Sequence, residues 1–378
     1  MKILCIIERS AWDGAKEQTY LFVREMAKFH DIELAINSKF EKMKLLVQSI
    51  AKIHQFEHYG KFKVEYNYRN YSRLLSVINK NNYDVIIAQS SLSMQYLSLI
   101  SPWFIKKNNI IFVKRGDTIP SFLSRQLKYK VANELVFVSR HVKEAIEKNT
   151  LFNQKLNVIE SGVDFNQYYP GNDKAGLRST LGISSKANVF TSVANWDTGR
   201  KRQQIILRAF KKLEDPLSKL ILVGNGTDRE EARSLVKNLN LESKVLLLGF
   251  RNDVADILRA SDYFLLSSLS EGIAGSLLQA MACGKIVLST NAGGIKEYLV
   301  DGKNGFLVDI NDFNGFEKKL VSMTKLDKLT VKDIQVNAII TAKKYSLDNN
   351  INHWRQYLDE FMIRRQASSH VKHGPAVN

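Results

Sequence analysis

Ser267-Ser268-Leu269-Ser270-Glu271-Gly272-Ile273-Ala274-Gly275-Ser276-Leu277-Leu278-Gln279-Ala280-Met281-Ala282-Cys283-Gly284 stands between two apolar runs, Tyr263–Leu266 and Ile286–Ser289. Strand, glycine-containing loop, helix and strand in that order make one unit of a parallel α/β sheet. The first amides of a helix have no partner within it and carry the positive end of its dipole. Gly272, Ile273, Ala274, Gly275 and Ser276 are therefore a candidate cradle for a phosphate. Small residues there let a ligand approach the backbone. Glu271 and Gln279 stand eight positions apart, about two helical turns, and can address one ligand from different depths. A carboxylate beside a phosphate is repelled unless it meets hydroxyls, which places a sugar next to that phosphate.

The same rhythm extends outward. Val189–Val193, Leu220–Val223 and Val245–Leu248 read as strands, separated by segments of helical period. In the first half Lys2–Ile7, Ile32–Ile36, Val85–Ala88, Ile110–Val113 and Leu135–Val138 read likewise, with helices expected over Glu17–Phe29, Tyr71–Asn79 and Arg140–Lys148. Strand and helix alternating twice over predict an α/β protein of two Rossmann-like, doubly wound domains facing across a cleft, each able to hold one substrate. Ser161-Gly162-Val163-Asp164 and Tyr169-Pro170-Gly171-Asn172-Asp173 gather turn formers and set the boundary, with a hinge over 165–180. The expected domains are 1–167 and 168–345. A helix over 346–366 carries Trp354, Tyr357, Leu358 and Phe361 on one stripe and crosses back to the first domain, and 367–378 is a frayed tail.

Composition agrees with two full cores. The chain has 378 residues, 44% of them hydrophobic, which excludes disorder and a small disulfide scaffold. Its net charge of +17 is shared as +9 over residues 1–167 and +8 over the rest, which argues against a basic arm and hence against a nucleic-acid partner. Cys5 and Cys283 sit in apolar runs and read as buried thiols of a reducing compartment. The opening apolar run is too short for a signal peptide, and no window approaches a membrane span. A cytoplasmic protein is expected, peripheral to the inner face of the cell membrane. Residues 39–53 mix basic and large apolar side chains at helical spacing, as a helix lying on an anionic membrane surface does; the same pattern suits a surface helix with its stripe in the core.

Several motifs combine more specifically. Leu220-Ile221-Leu222-Val223-Gly224-Asn225-Gly226, Val245-Leu246-Leu247-Leu248-Gly249-Phe250, the Glu271 loop, Ser289-Thr290-Asn291-Ala292-Gly293-Gly294-Ile295-Lys296-Glu297 and Asp301-Gly302-Lys303-Asn304-Gly305-Phe306-Leu307-Val308 follow one another across residues 187–310. This string resembles the retaining nucleotide-sugar glycosyltransferases of the two-Rossmann-domain (GT-B) type, the glycosyl transferases group 1 family. The first half resembles it more loosely, through Ser139 and through Val158-Ile159-Glu160-Ser161-Gly162-Val163-Asp164, with Ser161 where Asn is usual.

The resemblance implies that Glu271 contacts the donor sugar, that Gly272 to Ser276 hold the diphosphate and that Gln279 reaches the ribose, although the family has Glu at that position. In Ala194-Asn195-Trp196-Asp197-Thr198-Gly199-Arg200-Lys201-Arg202, Lys201 matches the family's diphosphate lysine. The expected arginine is replaced by Asn195 or Trp196, leaving Arg200 or Arg202 as the second cation. Fixed cations are worth most where the leaving diphosphate gains charge. Trp12-Asp13-Gly14-Ala15 fills the place of a Gly-Gly loop, so Gly14 alone gives close approach to donor or acceptor. Phe250 and Arg251 fall where the family recognises the base. Asp117 falls near the reacting sugar, where it either orients an acceptor hydroxyl or caps the next segment; Arg115 suits an acidic acceptor.

Glu271, Lys201 and Asp117 are thus the catalytic candidates. Asp-x-Asp is absent and the histidines show no ligand spacing, so neither metal nor cofactor is expected beyond the donor as cosubstrate. The implied function is transfer of a UDP- or GDP-linked sugar to a glycan or lipid-linked acceptor of a bacterial surface polysaccharide or lipopolysaccharide. The alternative is a non-catalytic GT-B subunit that binds or stabilises a partner transferase.

Overall fold

The computed structural model describes residues 1–8, 12–56, 68–105, 109–116, 118–148, 154–171 and 173–371, with side chains as far as 367. The first sheet contains β1 (Lys2–Ile7), β2 (Asp31–Asn37), β3 (Lys52–Phe56), β4 (Val85–Ala88), β5 (Ile110–Lys114), β6 (Glu134–Phe137) and β7 (Lys155–Val158) in the order β3-β2-β1-β4-β5-β6-β7. The second contains β8 (Val189–Val193), β9 (Lys219–Val223), β10 (Val245–Leu247), β11 (Tyr263–Leu266), β12 (Ile286–Thr290) and β13 (Phe306–Val308) in the order β10-β9-β8-β11-β12-β13. Every ladder is parallel. Helices cover both faces, and inner strands such as β4 and β11 are buried along their whole length, which is why they read as unbroken apolar runs. Strand order reverses between β1 and β4 and between β8 and β11, so the loops after β1, β8 and β11 open into crevices at the strand carboxyl ends.

Three strands, β3, β7 and β13, lie outside the expected set. The first overturns the basic helix over 39–53. The helix there covers only Glu41–Val47, and Lys52–Phe56 pairs along β2 from Glu33 to Asn37. The edge of β2 offers backbone partners that a longer helix would leave unmade. Met43 and Val47 are buried and Lys44 pairs with Glu41 at 2.6 Å, so this helix presents its apolar stripe to the core rather than to a membrane.

The chain crosses between the domains twice at one place. Val163 N donates to Tyr345 O and Leu347 N to Val163 O, both at 2.8 Å. Gly162 allows this, because a Cβ there would lie 2.8 Å from Leu347 Cα. The helix Leu347–Val371 then packs against Gly14–Met26, with the Phe22 and Trp354 rings 5.0 Å apart, and Arg364 reaches Glu134 at 3.2 Å. It continues five residues into the stretch expected to fray, and 372–378 lie outside the described residues. Among the described residues no helix is long and apolar enough to cross a membrane. Cys5 and Cys283 are free and buried.

Candidate active site

Asp197 builds the loop that carries the lysine. Its carboxylate accepts from Gly199 N at 3.0 Å and Arg200 N at 2.8 Å, and its carbonyl from Lys201 N at 2.9 Å. The loop is strapped to the end of β11: Ser267 Oγ donates to the Lys201 and Arg202 carbonyls, and Leu269 N to Arg200 O at 2.7 Å. Lys201 Nζ consequently meets Glu271 Oε1 at 2.5 Å, and Ser268 Oγ donates to the same oxygen at 2.6 Å. Both charged side chains are mostly buried, at 17% and 10% exposed. Arg202 (φ 52°) and Ala274 (φ 47°) flank this pair in the left-handed region, which non-glycine residues occupy at a cost and which concentrates at functional sites.

The helix after Glu271 covers Gly275–Ala282, begins with no side-chain cap and has no acid in its first turn. Its leading amides are open to an anion. Gly272, Gly275 and Ser276 are half-buried at the cleft, whereas the side chains of Ile273 and Ala274 are buried. A Cβ on Gly275 would meet nothing within 4 Å, so that glycine leaves open space. Gly272 is required by packing: its Cβ would fall 2.2 Å from the Arg115 carbonyl of the first domain. Below the loop, a Cβ on Gly293 would fall 1.8 Å from the Glu271 carbonyl.

Across the cleft, Asp13 caps the helix Gly14–Met26 by accepting from Ala15 and Lys16 amides, and Gly14 at its head is exposed with free space around it. Glu17, one turn on, accepts from Gln279 Nε2 at 3.1 Å and from Tyr168 OH at 3.5 Å. Burial pushes its carboxyl above the usual range, against the opposing pull of Gln279, Lys42 and Tyr168. Lys42 Nζ lies 4.1 Å from the Trp12 ring centroid and 4.7 Å from that of Phe250, and donates to Asn252 Oδ1 at 2.7 Å. A cation between two aromatic faces thus joins the domains at the half-exposed Phe250. Glu297 closes the cleft elsewhere, accepting from His141 N at 2.6 Å and Arg140 N at 3.2 Å at the head of the helix Arg140–Glu147.

Of the expected residues, Lys201 meets Glu271, Gly272 abuts Arg115 of the first domain, Gln279 reaches Glu17 and Phe250 meets Lys42. Three cationic candidates are placed otherwise. Arg202 turns into its own domain, donating to Ser267 O at 3.2 Å and to Ile310 O. Arg251 grips Asp253 through two bonds of 2.7 and 2.5 Å, so its charge is already matched. Arg200 extends into solvent, 3.7 Å from Asp197. Asn195 orders the neighbouring turn by accepting from Asn225 N at 3.0 Å, and Trp196 packs on the second core. Asp117 lies outside the described residues. Trp12, Glu17, Lys42 and Tyr168 went unread in the sequence as site residues. Only Lys42 carried a signal, a basic residue among apolar neighbours, and it pointed toward a membrane.

Two parallel doubly wound sheets opposed across such a cleft are the GT-B fold. Residues 173–338, the second domain, match the model of the family described as Glycosyl transferases group 1. N-acetyl-alpha-D-glucosaminyl L-malate synthase of Bacillus anthracis is 33% identical over 178 residues, 47% of this chain and 46% of the relative. UDP-Gal:alpha-D-GlcNAc-diphosphoundecaprenol alpha-1,3-galactosyltransferase of Escherichia coli is 28% identical over 269 residues, 66% of this chain and 69% of the relative. The chain spans about half the length of the first curated relatives it matches. The crystal structure of Anabaena Alr3699/HepE with UDP and glucose superposes with a TM-score of 0.83 at 21% identity, covering 95% of this chain and 100% of that one.

Proposed function

We propose that this protein is a retaining glycosyltransferase. It moves a sugar from a UDP- or GDP-linked donor, held by the second domain, to a glycan or lipid-linked acceptor on the first, in synthesis of a bacterial surface polysaccharide or lipopolysaccharide. The observation that carries this reading is the Lys201–Glu271 pair at 2.5 Å beside the uncapped helix Gly275–Ala282. The cation and amides suit a diphosphate, and the carboxylate suits sugar hydroxyls. The relative that is a diphosphoundecaprenol galactosyltransferase and the neighbour that binds UDP and glucose support the same substrate classes.

In this reaction the bond between the anomeric carbon and the diphosphate oxygen breaks through an oxocarbenium-like transition state. The acceptor oxygen bonds to that carbon from the same face, and its proton passes to the departing phosphate oxygen. Lys201 and the amides of the Gly275–Ala282 helix stabilise the growing negative charge without a metal, while Glu271 orients the sugar. Closure through Lys42 and Glu297 excludes water. The test is a panel of nucleotide-sugars with release of nucleoside diphosphate as readout. One donor is expected to be slowly hydrolysed by the wild type and not by Lys201→Ala. Inertness toward every donor would favour the second reading, a non-catalytic partner subunit, which rests on Gln279 and the missing arginine.

Contact with the membrane falls to another face of the first domain. Leu99, Trp103, Ile105, Phe122, Leu123 and Leu127 are all exposed, and Lys128 donates to Gln95 Oε1 at 3.0 Å, tying the two helical segments together. Arg125, Lys128 and Lys130 stand in the same segment and residues 118–133 hold no acid, so this apolar face is matched in charge to an anionic bilayer at the inner side of the membrane.

A further inference from the structure

We propose that Arg115 binds an anionic group, a carboxylate or a phosphate, carried by the acceptor. The inference rests on the transferase reading and specifies the acceptor's chemistry.

Arg115 directly follows β5, at the carboxyl end of the first sheet. Its carbonyl is the atom that Gly272 must lack a Cβ to approach, so the residue lies where acceptor and donor sides meet. Its side chain lines a recess with Gln18, Gln89, Val113, Ser161, Asn350 and Trp354. Nη2 donates to Gln89 Oε1 at 2.8 Å, while Nε is buried and has no hydrogen-bond partner.

The polar neighbours are neutral or engaged. Gln18 is bonded through both amide atoms to the Gly162 backbone, and Asn350 donates to Glu160 O at 2.5 Å. Glu8, deeply buried nearby in the crevice, accepts from Ser90 and Ser93 hydroxyls at 2.6 and 2.5 Å. Among the described residues Asp13 is the one carboxylate that acts on Arg115, and it already pairs with Lys16 at 2.7 Å. Burial consequently pulls the guanidinium down to about 10.

A guanidinium with its Nε buried and unpartnered is unfavourable, and an anion would relieve it. Arginine's planar fork matches a carboxylate or phosphate in two parallel bonds, which a lysine at this position would not supply. The acceptor hydroxyl would then be held beside the Gly272 loop by an anchor on the same molecule.

The test uses the full chain with two probes, inorganic phosphate and succinate, read by thermal shift and calorimetry. UDP and GDP are titrated in the same samples. The wild type is expected to bind one probe saturably, still binding it when the nucleotide is present, and the stronger probe tells phosphate from carboxylate. Arg115→Gln should weaken that binding by about tenfold or more, the loss expected for a charge-assisted hydrogen bond, with nucleotide affinity unchanged. If that variant does not fold, Arg115→Lys decides, and it should bind the probe several-fold more weakly. Equal probe affinity in wild type and variant, displacement of the probe by nucleotide, or no probe binding in a protein that binds nucleotide would overturn the proposal. Loss of nucleotide binding in the wild type would instead strike the transferase reading.

Discussion

Gln279 Nε2 donates to Glu17 Oε1 at 3.1 Å, joining the second domain's helix to the first domain's helix across the cleft. This contact gives a physical reason for an amide at position 279. A glutamate there would set two carboxylates against each other in a buried place, where like charges cannot both ionise cheaply. The carboxylate at this depth of the cleft comes from Glu17. Gln279→Glu should therefore destabilise the protein by about 2 kcal/mol, the scale of a buried polar group left mismatched, and Glu17→Gln combined with Gln279→Glu should restore most of the loss. Urea unfolding of the two single variants and the double variant measures the coupling.

Glu17 also has a signed pH signature. Its carboxyl titrates above the ordinary glutamate value of about 4.5 because burial outweighs its hydrogen bonds. In the window above 4.5 the folded state holds a proton that the unfolded state has lost, so this group's contribution to stability falls as pH rises. Glu17→Gln should flatten that decline. Melting temperatures from pH 4 to 8 are the check, and parallel profiles for wild type and variant would contradict the burial argument.

Lys42 between Trp12 and Phe250 predicts a binding effect far in sequence from the diphosphate cradle. Lys42→Ala removes a cation–π contact worth roughly 0.5–2 kcal/mol. The donor KM should rise several-fold with a smaller change in kcat. A fall in kcat alone would show that Lys42 acts on the reaction rather than on closure.

Glu297 caps a helix that belongs to the other domain, through the Arg140 and His141 amides. Glu297→Ala should cost about 1 kcal/mol, as loss of a cap does, and should open the cleft. Small-angle scattering should report a larger radius of gyration for this variant. An unchanged radius would mean that the remaining contacts hold the domains closed.

The exposed face around Phe122 and Leu123 makes a prediction for lipid. The wild type should sediment with phosphatidylglycerol vesicles and not with phosphatidylcholine vesicles, and Phe122→Ser with Leu123→Ser should weaken this about tenfold or more, given the apolar area lost. Retained vesicle binding in the double variant would place the contact elsewhere.

Legibility differed between the two sides of the cleft. The second domain announced itself because its strands are short, apolar and separated by glycines that the backbone requires, such as Gly272 against Arg115 and Gly293 against Glu271. Lys201 and Glu271 were singled out through the resemblance, and the loops that carry them bring the two side chains to 2.5 Å. The strand Lys52–Phe56 was hidden because alternate basic and apolar residues fit a helix as well as a sheet edge, and only the free edge of β2 decides between them. Glu17, Lys42 and Trp12 were illegible because their partners lie in the other domain, and no local pattern encodes how two domains meet. Arg202 looked like a diphosphate cation and Arg251 like a contact to the base because sequence shows charge without showing the carbonyls and carboxylates that already occupy it.

Calorimetric titration of UDP and GDP into the wild type and into Lys201→Ala tests the central claim most directly. The account predicts that one nucleotide binds the wild type with a single site per chain and that Lys201→Ala binds it at least tenfold more weakly, the expected loss of a charge-assisted phosphate contact. Equal affinity in the two proteins, or no binding of either nucleotide to a folded wild type, would contradict it.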